Sequence, residues 1–359
     1  MSGSIDLPAD PRIRRILVMK WSAMGDVVIS TALFEDIRRA FPDALVDLNT
    51  LPPWDRLLFS EDRRFSRVFA VDLRGGEGGW RGAWKWLRAV NRGRYDLLID
   101  LQSNDRSRLL VSLLHLSGRG IPWRIGNHRR FPYNIAPDPP EGIVHPFQLQ
   151  RRALEAGGIP ATTPRPVLHV PERHRERAAG MASLHRLEPG RYVIFFPGSQ
   201  AAGWLKRWGA ARYASLSDLL LRNGIDRTVL IGGGDEEEEC RRIEESAKGG
   251  GVVNLCGRTE ILDIVPLCEG ARAIVANDTG TAHVASCTER PMVVICGPTD
   301  PRKVKPVGDN VVALQADLAC INCYGKTCDH HHACMESITP ERVFETLRPL
   351  LAQDRPRRS

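Results

Sequence analysis

Two short stretches, far apart in this sequence, constrain its fold more than any other feature. Met24, Gly25 and Asp26 follow a short apolar run, and residues 278–283 (Asp-Thr-Gly-Thr-Ala-His) follow another in the second half of the chain. Each stretch puts a carboxylate and a glycine where a buried strand is expected to turn into a helix. The first N–H groups of a helix lack an internal partner and point at whatever lies beside them. One such turn in each half predicts a two-domain enzyme that binds a diphosphate on one side and activates a hydroxyl on the other.

Apolar segments alternate with helical patterns through both halves of the chain. In the first half, strands are predicted at 15–20, 44–48, 68–73 and 96–101, and helices at 27–40, 80–86 and 109–116. In the second half, strands are predicted at 192–196, 227–231, 252–255, 273–276 and 292–296, and helices at 213–222, 235–247, 261–268, 281–287 and 340–351. This alternation is typical of a parallel sheet covered on both faces. We therefore expect an α/β protein with two doubly wound, Rossmann-like domains facing a central cleft, with ligands beyond the carboxyl ends of the strands.

The composition is that of an ordinary globular protein. The chain has 359 residues, of which 42% are apolar and 26% charged, enough for two domains. Its net charge of +7 fits an anionic small molecule, a membrane surface or nucleic acid, and equally a surface solvated by basic residues. We find no nucleic-acid signature and expect no nucleic-acid partner. Residues 1–15 lack a signal-peptide pattern and no apolar run is long enough to span a membrane, which predicts a cytoplasmic protein.

Residues 278–283 have the chemistry of a phosphate-binding loop. Gly280 permits close approach of an anion to the backbone, and Thr279 adds a hydroxyl donor near the positive end of a helix. Asp278 would fix the loop by capping that helix, and a plain N-cap without a ligand is the alternative. His283 either donates to a phosphate or is a hydrogen-bonded histidine of the core.

Two further loops of the second half carry candidate ligands. Ser199 follows a predicted strand, and Lys206 lies beyond it among glycines. A lysine there is a natural phosphate ligand as a point charge, although most loop lysines are only solvated. Glu236 follows a triple glycine and is placed to accept hydrogen bonds from a ribose diol. Its alternative is a carboxylate that is simply favoured by a helix N-terminus.

Asp26 is the candidate general base of the first half. A carboxylate in a crevice can take the proton of an attacking hydroxyl group. An N-cap role is the alternative for this residue. Lys20 and Ser22 lie on the same turn and are candidate anion ligands.

Taken together, these segments resemble the heptosyltransferases, a family that transfers heptose from ADP-heptose to the inner core of lipopolysaccharide. Residues 16–27 resemble the opening segment of that family, residues 277–283 its nucleotide-sugar loop, and residues 206–208 (Lys-Arg-Trp) its Lys-x-Trp segment. Order and spacing agree from residue 16 to about residue 298. The resemblance implies a glycosyltransferase of the GT-B type, inversion at the anomeric carbon, and no required metal or cofactor.

The resemblance also implies roles for individual residues. Asp26 matches the general base, Lys206 a diphosphate ligand, and Glu236 the ribose-binding carboxylate. The implied nucleotide-sugar site contains Ser199, Lys206, Glu236, Asp278, Thr279, Gly280 and His283. The acceptor site is assigned to Lys20, Ser22, Gly25, Arg124 and His128.

A basic run in the first half supports that acceptor site. It fits the carboxylates and phosphates of the inner core, although a solvated face is the alternative for each member. Its members are Arg106, Arg108, Arg124, His128, Arg129 and Arg130.

The expected domain organisation follows from these roles. Residues 1–165 would form the acceptor-binding domain with the general base, and 166–190 a linker region. Residues 191–338 would form the nucleotide-sugar domain, with a Cys-rich segment at 320–334, before a C-terminal helix and tail at 339–359. The expected partners are ADP-heptose, a lipid-linked oligosaccharide acceptor and the cytoplasmic face of the inner membrane, in peripheral contact.

The Cys-rich segment leaves several alternatives open. Its spacing is C-x2-C-x4-C-x5-C, with three histidines interleaved, and on its own it fits a zinc or iron–sulfur site. A structural metal or redox site and unpaired thiols are both open, whereas a reducing cytosol disfavours disulfides. Two functional alternatives also stay open: the same fold with another nucleotide sugar and acceptor glycan, and a metal-binding interaction module built on these cysteines. They are Cys320, Cys323, Cys328 and Cys334.

Overall fold

The computed structural model describes residues 5–73, 77–118, 120–199 and 201–353 of the chain. The chain divides into two compact units, Met1–His169 and Val170–Ser359. Each unit contains one parallel β-sheet whose strands are connected by helices.

The first unit has a five-stranded parallel sheet in the order β3-β2-β1-β4-β5. Its strands are β1 (Arg15–Met19), β2 (Leu45–Thr50), β3 (Arg67–Ala70), β4 (Leu97–Asp100) and β5 (Trp123–Ile125). Its helices are α1 (Met24–Ala40), α2 (Trp54–Leu57), α3 (Glu77–Gly93), α4 (Asp105–Leu116) and α5 (Pro146–Glu155). Ile16 in the central strand pairs with Val46 on one side and Leu97 on the other. Because β1 has a neighbour on each side and helices above and below, it is a continuous apolar run.

A buried asparagine ties helix α3 to the sheet of the first unit. Asn49 in β2 accepts hydrogen bonds from the indole nitrogens of Trp21 at 2.8 Å and Trp86 at 2.7 Å. Trp86 is completely shielded from solvent, so its N–H needs such a partner. The inward face of α3 packs into one core cluster with α4, through residues such as Val90 and Leu110. Both helices therefore lie on the same side of the sheet.

The second unit has a six-stranded parallel sheet in the order β11-β10-β9-β6-β7-β8. Its strands are β6 (Tyr192–Phe196), β7 (Arg227–Leu230), β8 (Val252–Asn254), β9 (Ala273–Asn277), β10 (Met292–Cys296) and β11 (Val311–Gln315). Its helices are α6 (Glu172–Leu184), α7 (Ala210–Arg222), α8 (Glu237–Ser246), α9 (Ile264–Gly270), α10 (Gly280–Ala285), α11 (Pro301–Val304), α12 (Ala333–Glu336) and α13 (Pro340–Gln353). Short 3₁₀ helices span Ala201–Lys206, Gly234–Glu236 and Ile261–Asp263.

The predicted fold class, two doubly wound parallel sheets, is confirmed. Each predicted strand and helix overlaps an observed one. Seven elements were not predicted, namely β5, β11, α2, α5, α6, α11 and α12. The strands among them are the edge strands of their sheets, where shorter and less apolar sequences are tolerated.

Residues 166–190, predicted as a linker, are corrected by the structure. Helix α6 occupies most of that range, belongs to the second unit and packs against α9. Buried His174 on α6 is hydrogen-bonded through Nδ1 to the carboxylate of buried Asp263 at 2.6 Å. The abundance of Pro, Arg and His in this range predicts a linker, but the range contains helix α6, which is anchored by the His174–Asp263 pair.

In the residues that the structure describes, no helix combines the length and the apolar character needed to cross a bilayer.

Candidate functional site

In the second unit, the strand order reverses between β6 and β9, and the loops after these strands meet there. Asn277, the last residue of β9, donates through its side-chain amide to the carbonyl oxygens of Pro197 and Gly198, the latter at 3.3 Å. The side-chain oxygen of Asn277 accepts from the buried Tyr213 hydroxyl at 3.1 Å. In a parallel sheet such a reversal opens a crevice at the carboxyl ends of the strands, where ligands bind. Asn277 thus holds together two of the loops predicted to bind the nucleotide sugar.

Lys206 and Asp278 form an ion pair at this reversal. Lys206 Nζ lies 2.8 Å from Asp278 Oδ2, and the side chains are 33% and 7% exposed. The N-cap residue of α10 is Thr279, so the carboxylate of Asp278 is engaged with a lysine rather than acting as the expected helix cap. The pair fixes the position of Lys206 while a third of its side chain stays accessible.

Glu236 lies against the same loops. Its Oε2 accepts from the backbone N–H of Gly233 at 2.6 Å. Burial raises the pKa of Glu236, while that hydrogen bond and the charge of Arg207 oppose the rise. A β-carbon at Gly198 would lie 2.1 Å from Glu236 Cδ, and one at Gly232 would lie 2.6 Å from Oε2. Both glycines are therefore needed for the carboxyl group to occupy this place.

The remaining residues predicted to bind the nucleotide sugar lie in the same loops. Ser199 is buried, and its hydroxyl donates to a backbone carbonyl of the loop at 2.8 Å. Arg207 donates to the carbonyl oxygen of Ser199 at 2.9 Å. Thr279 precedes α10, Gly280 begins it, and His283 lies buried on its next turn. The structure therefore brings all the residues that were predicted to bind the nucleotide sugar to the carboxyl ends of β6, β7 and β9.

In the first unit, the strand order reverses between β1 and β4, and a glutamine joins the loops after them. Gln102 Oε1 accepts from the backbone N–H groups of Trp21 at 3.0 Å and Ser22 at 3.2 Å. Lys20 is buried at the end of β1 and donates from Nζ to the Leu101 carbonyl at 3.3 Å. Two of the predicted acceptor residues, Lys20 and Ser22, therefore lie at this reversal.

Asp26 lies in the first turn of α1, next to Gly25, and is half-buried. Its Oδ2 accepts from the backbone N–H of Ala23 at 3.2 Å. Burial lowers the pKa of Lys20, and the nearby carboxylates of Asp26 and Asp100 oppose that shift. Asp26 thus has the contact of a helix-capping residue and, in addition, a buried ammonium group close by.

Asp100 was not predicted as a site residue. Its carboxylate accepts from the backbone N–H groups of Gln102 at 2.9 Å and Ser103 at 2.8 Å, and from the Tyr133 hydroxyl. Burial raises the pKa of Asp100, and hydrogen bonds from Ser107 and from these groups oppose the rise. The sequence does carry a signal, because Asp100 ends an apolar strand, much as Asp278 directly follows one. Gln102 and Ser103 are only two and three residues away, but the Tyr133 partner is 33 residues away and leaves no local signal.

The two remaining acceptor candidates lie in and after β5. Arg124 is buried, and its guanidinium donates to the carbonyl oxygens of Ile121 and of Pro132, the latter at 2.6 Å. These contacts stabilise the segments on either side of β5, and they engage the guanidinium of Arg124 within the protein. His128 lies exposed further along. The acceptor roles of Arg124 and His128 stay predictions.

The four cysteines of residues 320–334 are free thiols. Cys334 is buried; burial raises its pKa, and the sulfurs of Cys328, Cys320 and Cys323 raise it further. Among the described residues, no three His, Cys, Asp or Glu side chains are grouped so that they could hold a metal ion.

The Cys-rich segment packs against the loop that carries Lys206. His332 Nε2 is hydrogen-bonded to the carbonyl of Leu205 at 2.5 Å, and its ring lies 5.9 Å from that of Trp204. The backbone N–H of Tyr324 donates to the Pro298 carbonyl, after β10, at 2.9 Å. These contacts give the segment a supporting role at the candidate site.

A family model described as glycosyltransferase family 9 (heptosyltransferase) matches residues 83–334, more than half of the sequence. The chain belongs to glycosyltransferase family 9. The family expected from the sequence is thereby confirmed, and the protein is a glycosyltransferase.

Individual relatives agree with this assignment. Lipopolysaccharide heptosyltransferase 2 of Escherichia coli K12 is 28% identical over 356 residues, which cover 95% of this chain and 99% of the relative. The solved structure of E. coli ADP-heptose lps heptosyltransferase II has a TM-score of 0.72 at 26% identity, covering 95% of this chain and 99% of its own. A family 9 glycosyltransferase from Veillonella parvula has a TM-score of 0.80 at 21% identity, covering 98% and 99%. These matches identify the two parallel-sheet domains of this family 9 enzyme as the GT-B type.

Proposed function

We propose that this family 9 enzyme transfers heptose from ADP-heptose to an acceptor sugar of the lipopolysaccharide inner core, with inversion at the anomeric carbon. The name of its E. coli relative, lipopolysaccharide heptosyltransferase 2, supports the acceptor. The solved E. coli structure that resembles it, an ADP-heptose lps heptosyltransferase, supports the donor. The observation that carries the proposal is the ion pair of Lys206 with Asp278 at the strand-order reversal of the second unit.

Lys206 is the proposed ligand of the diphosphate. Its ammonium group is held 2.8 Å from a buried carboxylate, so it is oriented before the donor binds. Because a third of the side chain is accessible, it can contact an anion as well as Asp278. The Thr279 hydroxyl and the backbone at Gly280 lie in the loop that follows Asp278 and complete the phosphate contacts, with Ser199 and His283 at the edges. Oriented donors of this kind stabilise the negative charge that grows on a departing nucleoside diphosphate.

Glu236 is the proposed ribose ligand. Its carboxyl group is fixed by the Gly233 N–H and by close packing on Gly198 and Gly232. A carboxyl group can accept from both hydroxyls of a ribose diol. In this proposal residues 191–338 bind the nucleotide sugar.

Asp26 is the proposed general base of the first unit. The acceptor hydroxyl oxygen forms a bond to the anomeric carbon as the bond from that carbon to the β-phosphate oxygen breaks. The electron pair of that bond leaves with ADP, and the hydroxyl proton passes to Asp26. A single displacement of this kind needs one base and inverts the configuration. No metal or cofactor takes part in the proposed step, because Lys206 and the 278–283 loop supply the positive charge and donors.

Residues 1–165 carry the proposed acceptor site. Lys20, Ser22 and Gly25 lie beside Asp26 on the same turn, and the exposed His128 lies in the loop after β5. The acceptor in this proposal is linked to lipid, so the enzyme would work at the cytoplasmic face of the inner membrane in peripheral contact with it.

The test is a panel of nucleotide sugars incubated with the purified chain and a water-soluble, delipidated inner-core acceptor. We expect release of nucleoside diphosphate from ADP-heptose, and ADP rather than UDP to raise the melting temperature. If the chain turns over a different nucleotide sugar and does not turn over ADP-heptose, the proposed sugar donor is wrong, whereas the fold and the proposed binding site are unaffected. A loss of transfer after substitution of Cys320 and Cys323, with no loss in Asp26→Ala, would point to a metal-binding module instead.

A further inference from the structure

Helices α3 and α4 of the first unit present large apolar side chains to solvent. Trp80 is 86% exposed and Trp84 62%. On α4, Leu109 is 59% and Leu116 72% exposed. Phe131, 56% exposed, extends this surface, because its ring lies 5.5 Å from that of His115 on α4. Exposed tryptophan on this scale is uncommon on a surface that meets only water.

The helical geometry places these side chains on one face. Trp86 and Val90 of α3 point into the same core cluster as Leu110 and Leu114 of α4. Side chains two to three residues away on each helix therefore point away from the sheet, on the side that both helices share. Trp84 lies two residues before Trp86 on α3. On α4, Leu109 lies two residues before the buried Val111, and Leu116 lies two residues after Leu114. We call this surface the α3–α4 face.

Strong positive charge surrounds the α3–α4 face. The sequence contains no Asp or Glu from residue 79 to 95, nor from 106 to 137. The guanidinium of Arg88 lies over the Trp84 ring at 5.9 Å, so charge and aromatic surface are interleaved. The exposed basic residues around the apolar patch are Arg81, Lys85, Arg88, Arg92 and Arg130.

We infer that the α3–α4 face docks on an anionic lipid surface, with Trp80 and Trp84 inserted at the headgroup level. Aromatic and leucine side chains within a basic rim match the chemistry of that interface, since the rings enter the headgroup region while lysine and arginine bind lipid phosphates. The inference rests on the proposed function, in which the acceptor sugar is attached to lipid. The α3–α4 face is then the surface that meets the membrane, through its aromatic side chains and its basic rim.

A second copy of the chain is a poor occupant for this face. Pairing two identical faces would bring the same basic residues of both copies together, because the exposed carboxylate at the start of α4, Asp105, already pairs with Arg108 of its own helix at 3.2 Å. An anionic bilayer supplies the missing negative charge over the whole area of the patch. Charge complementarity therefore favours lipid over self-association.

The test is sedimentation of the full chain with phosphatidylcholine vesicles, with and without phosphatidylglycerol. We expect binding to the phosphatidylglycerol vesicles, a blue shift of tryptophan fluorescence, and weaker binding at higher salt. The double variant Trp80→Ser with Trp84→Ser should lower the partition coefficient about tenfold or more. The matched control is Leu184→Ser, which removes another exposed apolar side chain, 78% exposed, from α6 of the second unit. It should bind as the wild type does.

A second variant keeps the test independent of the two tryptophans. Lys85→Glu should weaken binding to phosphatidylglycerol vesicles while circular dichroism stays unchanged. The inference is overturned if the wild type ignores anionic vesicles, or if the double variant binds them equally well. It is also overturned if light scattering finds a wild-type dimer that the double variant abolishes.

Transfer to a delipidated acceptor separates this inference from the proposed function. The double tryptophan variant should release ADP from ADP-heptose at a rate within about twofold of the wild type, because neither residue contacts the site. Normal transfer without vesicle binding would overturn only the membrane inference. Vesicle binding without any transfer would overturn only the proposed function.

Discussion

Lys20 in the first unit is buried at 4% exposure, whereas 33% of the Lys206 side chain in the second unit is accessible. Both lysines lie at the point where the strand order of their sheet reverses, and in both units a side-chain amide, Gln102 or Asn277, joins the loops that meet there. The same backbone arrangement therefore carries two different electrostatic environments.

The difference lies in the carboxylates around each lysine. Lys20 has both Asp26 and Asp100 close by, so its charge is offset within the protein. Lys206 pairs with Asp278 and keeps part of its surface accessible. A buried cation beside two carboxylates suits proton transfer, whereas an accessible cation suits the binding of an anion.

Asp26→Asn should have the largest effect, a loss of turnover of roughly 10²–10⁴-fold, the usual contribution of a general base. The amide keeps the size of the side chain and its position on α1, so folding should be retained. The measurement is the steady-state release of ADP from ADP-heptose in the presence of acceptor. Asp43→Asn, on an exposed turn of the same unit, is the control. Transfer at the parental rate would remove Asp26 from the mechanism.

Lys206→Ala should weaken ADP binding by roughly 10–100-fold, because a hydrogen bond to a charged group contributes about 1.5–3 kcal/mol. It also leaves the buried Asp278 carboxylate without its cation. The dissociation constant of ADP is measured by calorimetric titration. Lys248→Ala removes an exposed lysine from the same unit and should leave the affinity unchanged. Equal affinities for all three proteins would contradict the phosphate role.

Gly198→Ala should destabilise the second unit by about 1–3 kcal/mol, the usual cost of overpacking. The new β-carbon would lie 2.1 Å from Glu236 Cδ, so the carboxyl group has to move. The urea midpoint of unfolding gives the change in stability. Gly180→Ala is a control with the opposite expected sign. Its new β-carbon meets open space on α6, so the substitution should stabilise the second unit by about 0.5–1 kcal/mol. Similar results for both alanines would mean that Glu236 is not packed on Gly198.

The smallest expected effect is a pH dependence of stability due to Glu236. Burial raises the pKa of Glu236 above its ordinary value of 4.5, so the folded state favours the protonated carboxyl group. The stabilisation is complete below pH 4.5 and is lost as the pH rises through the folded-state pKa. The melting temperature of the wild type relative to Glu236→Gln should therefore decrease from pH 4.5 towards neutrality. A difference that stays constant with pH would contradict this environment for Glu236.

Much of the fold could be predicted from local pattern alone. The central strands are continuous apolar runs, as in β1 and β6, because they are buried on both faces. Helix α6 was missed because its sequence has few apolar positions, and His174 with Asp263 replaces part of the usual hydrophobic anchor. Such a polar anchor depends on a partner far along the chain and leaves no periodic signal.

The candidate site was predictable where the relevant residues share one loop. Asp278, Thr279 and Gly280 are consecutive, and the loop that contains them lies where the sequence indicated. Asp100 and Tyr133 were missed, because their hydrogen bond joins positions 33 residues apart. The space that Gly198 leaves for Glu236 was missed for the same reason, since only the packed structure brings the β6 and β7 loops together.

The most direct test of the contrast between the two lysine environments is one calorimetric titration of ADP into Asp26→Asn and Lys206→Ala, measured beside their transfer rates. The account predicts that Asp26→Asn binds ADP within about twofold of the wild type while transferring almost no sugar, and that Lys206→Ala loses ADP affinity. It would be contradicted if Asp26→Asn lost as much ADP affinity as Lys206→Ala, because the base and the diphosphate ligand would then not be separate functions of the two units.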